Sequence, residues 1–142
     1  FGIMDIGSAL QTSVSYLGST ADSYCMFQGG LDYNNGSENN IGTSWGENVI
    51  MGIAIDLDSS TKTIKYYKAG SEIHSRTIST PANGYVFAVT QDTNGTISEI
   101  NFGSPPYSES GGNSDGNGYG NFSMSVPSGY YALNTKNLAE FG

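Results

Sequence analysis

Apolar positions in this chain come in short runs broken by turn-forming residues, and most of the runs follow the two-residue period of a β-strand. Phe1 to Ile6 is a short apolar run ended by Gly7, which predicts a buried strand. Residues 8–47 are rich in Ser, Gly, Asn, Tyr and Asp, and only Thr12–Leu17 and Ser23–Gln28 look like strands there. Asn34-Asn35-Gly36 predicts a tight turn, because Asn and Gly tolerate positive φ at little cost. Val49–Leu57 (VIMGIAIDL) is continuously apolar, short and β-branched, so it predicts a central strand covered on both faces. Asp58-Ser59-Ser60-Thr61 supplies a turn, and Thr63–Lys68 then alternates, so the two segments form a β-hairpin. Further strands are expected at Ile73–Ile78, Tyr85–Thr90 and Thr96–Phe102, after turns at Ala69-Gly70-Ser71, Pro81-Ala82-Asn83-Gly84 and Asp92-Thr93-Asn94-Gly95. Strands recurring every 8 to 15 residues with turn chemistry between them predict an all-β, antiparallel β-sandwich.

Composition sharpens this picture. Charged residues are only 13% of the chain and Gly numbers 20, which disfavours long helices; an aromatic share of 12% disfavours charge-driven disorder. From Ser110 to Asn121, ten of twelve residues are Gly, Ser or Asn, which predicts a mobile loop or an exposed hairpin tip with no core of its own. The expected organisation is one sandwich domain over residues 1–135, with 110–121 as its flexible loop, and a linker over 136–142 toward a following segment. The opening at Phe1, with no Met before it, is expected to be the start of a piece of a larger chain.

Five basic residues against thirteen acidic ones give a net charge of −8, with no Lys or Arg before Lys62. Such a surface offers no basic footprint for phosphates, so neither nucleic acid nor an anionic membrane is an expected partner. No apolar run approaches the roughly 20 residues a spanning helix needs. Cys25 is the single cysteine, so a disulfide within the chain and a cysteine metal site are both ruled out.

Several segments together resemble a SPRY domain, a bent β-sandwich related to the concanavalin-type jelly rolls. FGIMD is similar to the family's early strand, and YLGSTADSY to the loop after it. VIMGIAIDLD with TIKYYKAG is similar to its core hairpin, and YVFAVTQ and INFG to its late strands. The family's aromatic-rich opening strand has no counterpart here, so the resemblance implies a first strand lying outside this fragment. Ala69 stands where the family's hairpin turn has Asn, which puts the geometry of that turn in question. The tail PPY…FSMSVPSGYYALNTKNL resembles SPRY-type segments of large virion proteins of tailed bacteriophages, with Ala139 in place of Pro.

Few residue groupings suggest catalysis. Asp56 and Asp58 lie two apart on one strand face, side by side rather than across a cleft as glycoside hydrolysis requires. Turn acceptors for backbone N–H groups are the better reading. His74, the only histidine, is expected on an edge strand facing solvent, and no nucleophile elbow accompanies it. Calcium held by Asp, Asn and carbonyls at Asn34–Glu38 or Asp92–Asn94 is a weaker alternative, and no cofactor or metal is expected. Aromatic side chains among Ser, Asn and Gly are the stronger clue, because they combine rigid contact area with adaptable hydrogen bonding. The candidate ligand-binding residues are Tyr16, Tyr33, Trp45, Tyr107 and Tyr119, with Tyr33 and Tyr119 expected to be the most exposed. Tyr24, Phe27 and Trp45 could equally cover the ends of the core.

With the resemblance, these residues imply a non-catalytic binding or structural module of a phage virion protein, in tail or capsid. It would display loops to a host-surface protein or glycan or to other virion subunits, as part of a larger chain or a homo-oligomer. A lectin-like carbohydrate-binding module, with or without calcium, is the alternative.

Overall fold

The computed structural model describes residues 1–9, 16–91 and 97–141. The chain divides into two compact units, Phe1–Asn94 and Gly95–Gly142.

The first unit is an antiparallel β-sandwich. Its strands are β1 (Gly2–Asp5), β2 (Ser23–Phe27), β3 (Leu31–Asn34), β4 (Ser37–Asn40), β5 (Met51–Asp56), β6 (Thr63–Lys68), β7 (Ser71–Thr77) and β8 (Tyr85–Ala88), with a single helical turn, α1 (Ile6–Ala9), after β1. Five strands form one sheet in the order β4-β3-β2-β1-β8, and three form the other in the order β5-β6-β7. Alternation along β1 and β2 sends Ile3, Tyr24 and Met26 to the face that meets Ile64, Tyr66 and Ile78, and these six buried residues form the main core. Met4 and Cys25 point the other way and pack with Leu17 in a second cluster on the outer face. Because β1 and β2 are covered on both sides, their residues are apolar, Gly or Ser up to Asp5, whose buried carboxylate accepts from the Gly7 and Asn83 amides. Gly2 is required by the close pairing of these strands, since a Cβ there would lie 1.9 Å from the Tyr24 carbonyl oxygen.

Two expectations about strands fail in this unit. The Val49–Leu57 ribbon does form a strand and does pair with Thr63–Lys68, from Met51 opposite Lys68 to Asp56 opposite Thr63. It lies at the edge of its sheet, however, and β6 takes the centre. β6 contributes Ile64 and Tyr66, both fully buried, whereas β5 stays half-buried at most positions. β3 and β4 form a hairpin within a region expected to be loop-rich. Asp32, Asn34, Ser37 and Asn39 give their inner positions no apolar period to read. The turn joining them is the expected one, with Asn35 and Gly36 at φ 54° and 71°. The expected piece at Thr12–Leu17 falls mostly outside the described residues.

The second unit has little regular structure. Ile97–Phe102 is not a strand, and Ile97 is 87% exposed. The expected linker is helical in large part, as α2 (Thr135–Phe141). No helix among the described residues is long and apolar enough to cross a membrane.

Ala69 and Gly70 turn β6 into β7 with φ 48° and 86°, the same left-handed pair that Asn35 and Gly36 adopt. A Cβ-bearing residue other than Asn or Asp is strained there by about 1 kcal/mol. Ala69→Asn therefore raises stability by roughly 0.5–1 kcal/mol, read as an increased denaturant midpoint at unchanged slope.

Candidate functional site

The outer face of the five-stranded sheet brings two of the candidate aromatics together. Tyr33 lies on β3 opposite Cys25 of β2 and Glu38 of β4, so its ring stands on the same face as Met4 and Leu17. Tyr16 belongs to a turn closed by the Ser19 amide donating to the Tyr16 carbonyl, and that turn lies over β3. Gly18, at φ 92°, permits this approach, because a Cβ there would sit 2.6 Å from Tyr33 Cβ. Tyr16 and Tyr33 meet edge to face at 6.1 Å, and Phe27 tilts onto Tyr33 at 5.3 Å. The Tyr33 hydroxyl donates to Glu38 Oε2, and this bond pushes its phenol pKa upward. Tyr16 is 37% exposed and Tyr33 is half-buried. The result is an aromatic trio centred on Tyr33, with Glu38 and Asn40 on the adjoining polar strand.

The other candidates lie elsewhere. Trp45 is half-buried, meets Phe1 edge to face at 5.5 Å and packs against the inter-sheet core rather than the outer cluster. Tyr107 and Tyr119 belong to the second unit. Burial raises the Tyr107 pKa, with Glu99 and Glu109 adding to it. Tyr119, expected to be among the most exposed, is half-buried; its hydroxyl donates to Glu140 Oε2 at 2.7 Å, and Lys136 Nζ lies 5.3 Å from its ring centre. Phe27, the third member of the trio, and Glu38, which borders it, are not among the candidate ligand-binding residues read from the sequence. The alternation Leu31-Asp32-Tyr33 would have placed Tyr33 on one face and Asp32 on the other.

A polar group lies between the sheets. Asp32 is 2% exposed, and its Oδ2 accepts from Arg76 Nη1 and lies 3.4 Å from His74 Nε2. Arg76 Nη2 also donates to Asn34 Oδ1 at 3.0 Å, and its guanidinium lies 5.6 Å from the Tyr24 ring centre. His74 is on an edge strand as expected. Its ring does not face solvent; it stacks on Tyr66, because Tyr66 is its partner on the core face of β6. Asp32 Oδ1 and the Tyr66 hydroxyl have no hydrogen-bond partner among the described residues. Burial, with Asp32 nearby, pushes the Tyr66 phenol far above its usual range. Asp56 Oδ1 accepts from the Asp58 and Ser59 amides at 3.0 and 2.9 Å, the turn-acceptor role read from the sequence. Among the described residues, no group of three or more His, Cys, Asp or Glu side chains could hold a metal ion. The Asp92–Asn94 turn lies outside them.

The Gly/Ser/Asn run of the second unit is organised around a carboxylate. Asp115 is buried; its Oδ1 accepts from the Asn117 and Tyr119 amides, and its Oδ2 from the Ala132 amide and Asn137 Nδ2. The run thus forms a hairpin tip, bridged at Asn113 and Phe122, around a buried acid that its composition did not suggest.

No family model, curated protein or solved structure matches the chain.

Two outcomes follow. Arg76→Ala leaves the buried Asp32 carboxylate without its cation and costs about 3 kcal/mol, and replacing the whole group with apolar side chains costs less. Chemical denaturation of both variants reads this. Burial raises the Asp115 pKa, but its four N–H donors outweigh burial and hold it below the usual carboxylate value. A lowered folded pKa supplies stability above the unfolded pKa and loses it as pH falls through the folded one. Amide shifts of Tyr119 and Ala132 should therefore hold down to about pH 4 and change below it. Asp115→Asn should disturb them at neutral pH.

Proposed function

We propose that this chain is a non-catalytic binding module that presents the Tyr16–Tyr33–Phe27 face to a partner. The observation that carries the reading is that trio, half-exposed on a rigid sheet and bordered by Glu38 and Asn40. Rigid aromatics next to adaptable polar groups give contact area at low entropic cost. The SPRY-like segments and the phage-like tail supply the biological setting: a structural protein of a bacteriophage particle, in tail or capsid. Its partner there is a host-surface protein or glycan or a neighbouring virion subunit. A fold alone does not choose among these. β5 borders its sheet, whereas its continuous apolar run predicts a central place, so the virion setting is read from the quoted segments and not from sheet order.

A lectin-like role is the second reading, favoured by the exposed Tyr16 ring packed on Tyr33, with Glu38 and Asn40 on the strand next to Tyr33 able to accept from and donate to sugar hydroxyls. Screening the purified chain on glycan arrays and against immobilised virion and bacterial surface proteins tests both. Tyr16→Ala with Tyr33→Ala should lower the affinity of the bound partner at least about tenfold, the loss of one or two interface hot spots, with circular dichroism unchanged. Unaltered affinity in that folded variant would remove this face from the account.

A further inference from the structure

The apolar ribbon Val49–Leu57 has the composition of an interior strand but borders its sheet. The Ala69 amide donates to the Ile50 carbonyl at 2.9 Å, which makes these two a hydrogen-bonded pair. Such pairs alternate along an antiparallel ladder, so the backbone groups of Gly52, Ala54 and Asp56 face β6 and those of Met51, Ile53 and Ile55 face outward. No described strand pairs with that outer side. Ile53 and Ile55 lie on the core face yet stay half-buried, and Ile50 and Leu57 are 48% and 40% exposed. Exposed edges are normally guarded by charge or proline. β4 carries Glu38, and β7 carries Glu72, His74 and Arg76; β8 is uncharged but only four residues long, whereas β5 runs six residues with no charge from Met51 to Ile55.

We propose that β5 pairs, antiparallel, with β5 of a second copy of this chain about a two-fold axis through Ile53. Met51 then faces Ile55 of the other copy and Gly52 faces its Ala54, and every outward backbone group from Met51 to Ile55 is used. Opposed residues have the same parity, so Met51, Ile53 and Ile55 of both copies stay on the core side of one continuous sheet. The occupant follows from charge. This register sets Asp56 against Ile50 and holds the two Asp56 carboxylates at opposite ends of the ladder, so the strand opposes no like charges when it meets itself. Two-fold, self-complementary contacts are also the commonest kind between identical chains. The net charge of −8 opposes association, so screening salt strengthens it. The proposal does not depend on the binding role of the tyrosine face.

Amide hydrogen exchange of the intact chain, followed by NMR at about 0.02 and about 1 mM, tests it, with sedimentation run alongside. The expected result is protection of the Met51, Ile53 and Ile55 amides that grows about tenfold or more with concentration as the mass doubles. Met51→Pro removes only an outward amide and should give a folded monomer; Met51→Lys serves if the proline variant does not fold. Three results would overturn the pairing: rapid exchange at both concentrations, protection independent of concentration (the strand covered by its own chain), or a dimer that both variants retain.

Discussion

Two sheets of unequal width are held face to face by one layer of side chains, and the placement of everything else in the first unit follows from that layer. Ile3, Tyr24 and Met26 on one side and Ile64, Tyr66 and Ile78 on the other exclude water. Burial of side chains this size stabilises by roughly 1.5–3 kcal/mol apiece. Asp32 and Arg76 add a directional contact across the same gap. An ion pair in such a place contributes little net stability, but it disfavours any shift of one sheet over the other that would leave Asp32 unpaired. His74, stacked on Tyr66 and facing Asp32, belongs to the same assembly.

The outer face of the larger sheet depends on this layer. With Ile3, Tyr24 and Met26 fixed inward, alternation leaves Met4, Cys25 and Tyr33 outward. Leu17 covers part of that surface, and Tyr16, the residue before it, meets Tyr33 at the boundary of the covered area. The aromatic trio is thus the open margin of a second small core. Its hydroxyl at Tyr33 is committed to Glu38, which leaves the Tyr16 ring as its most accessible element.

Much of the fold was legible in the residues. The β5–β6 hairpin, β2, β7, β8 and the Asn35-Gly36 turn follow from periodicity and turn chemistry. The sheet position of β5 was not legible, because an apolar run shows that a strand can be covered on both sides and not that a neighbour is present. β3 and β4 were missed because Asp32 and Asn34 take inner positions through hydrogen bonds to Arg76 instead of through apolar burial. Asp115 was hidden for the same kind of reason: two of its four N–H donors belong to its own loop, but the Ala132 amide and Asn137 side chain that complete its burial lie 17 and 22 residues on, where no local pattern announces them. Of the candidate site, the face of Tyr33 could be read from alternation along β3, but its contact with Tyr16 depends on Gly18 lying over β3, a tertiary approach with no periodic signature.

The sandwich carries an aromatic face on its larger sheet and, at β5, an edge strand with no charge from Met51 to Ile55. Both depend on the two sheets facing each other as described. Methyl and aromatic NOE spectroscopy on the intact chain reads that arrangement directly. The account predicts cross-peaks from the methyls of Ile3 and Met26 to those of Ile64 and Ile78 and to the Tyr66 ring. A spectrum with the β1–β2 and β5–β6 contacts present but none of these inter-sheet peaks would contradict it.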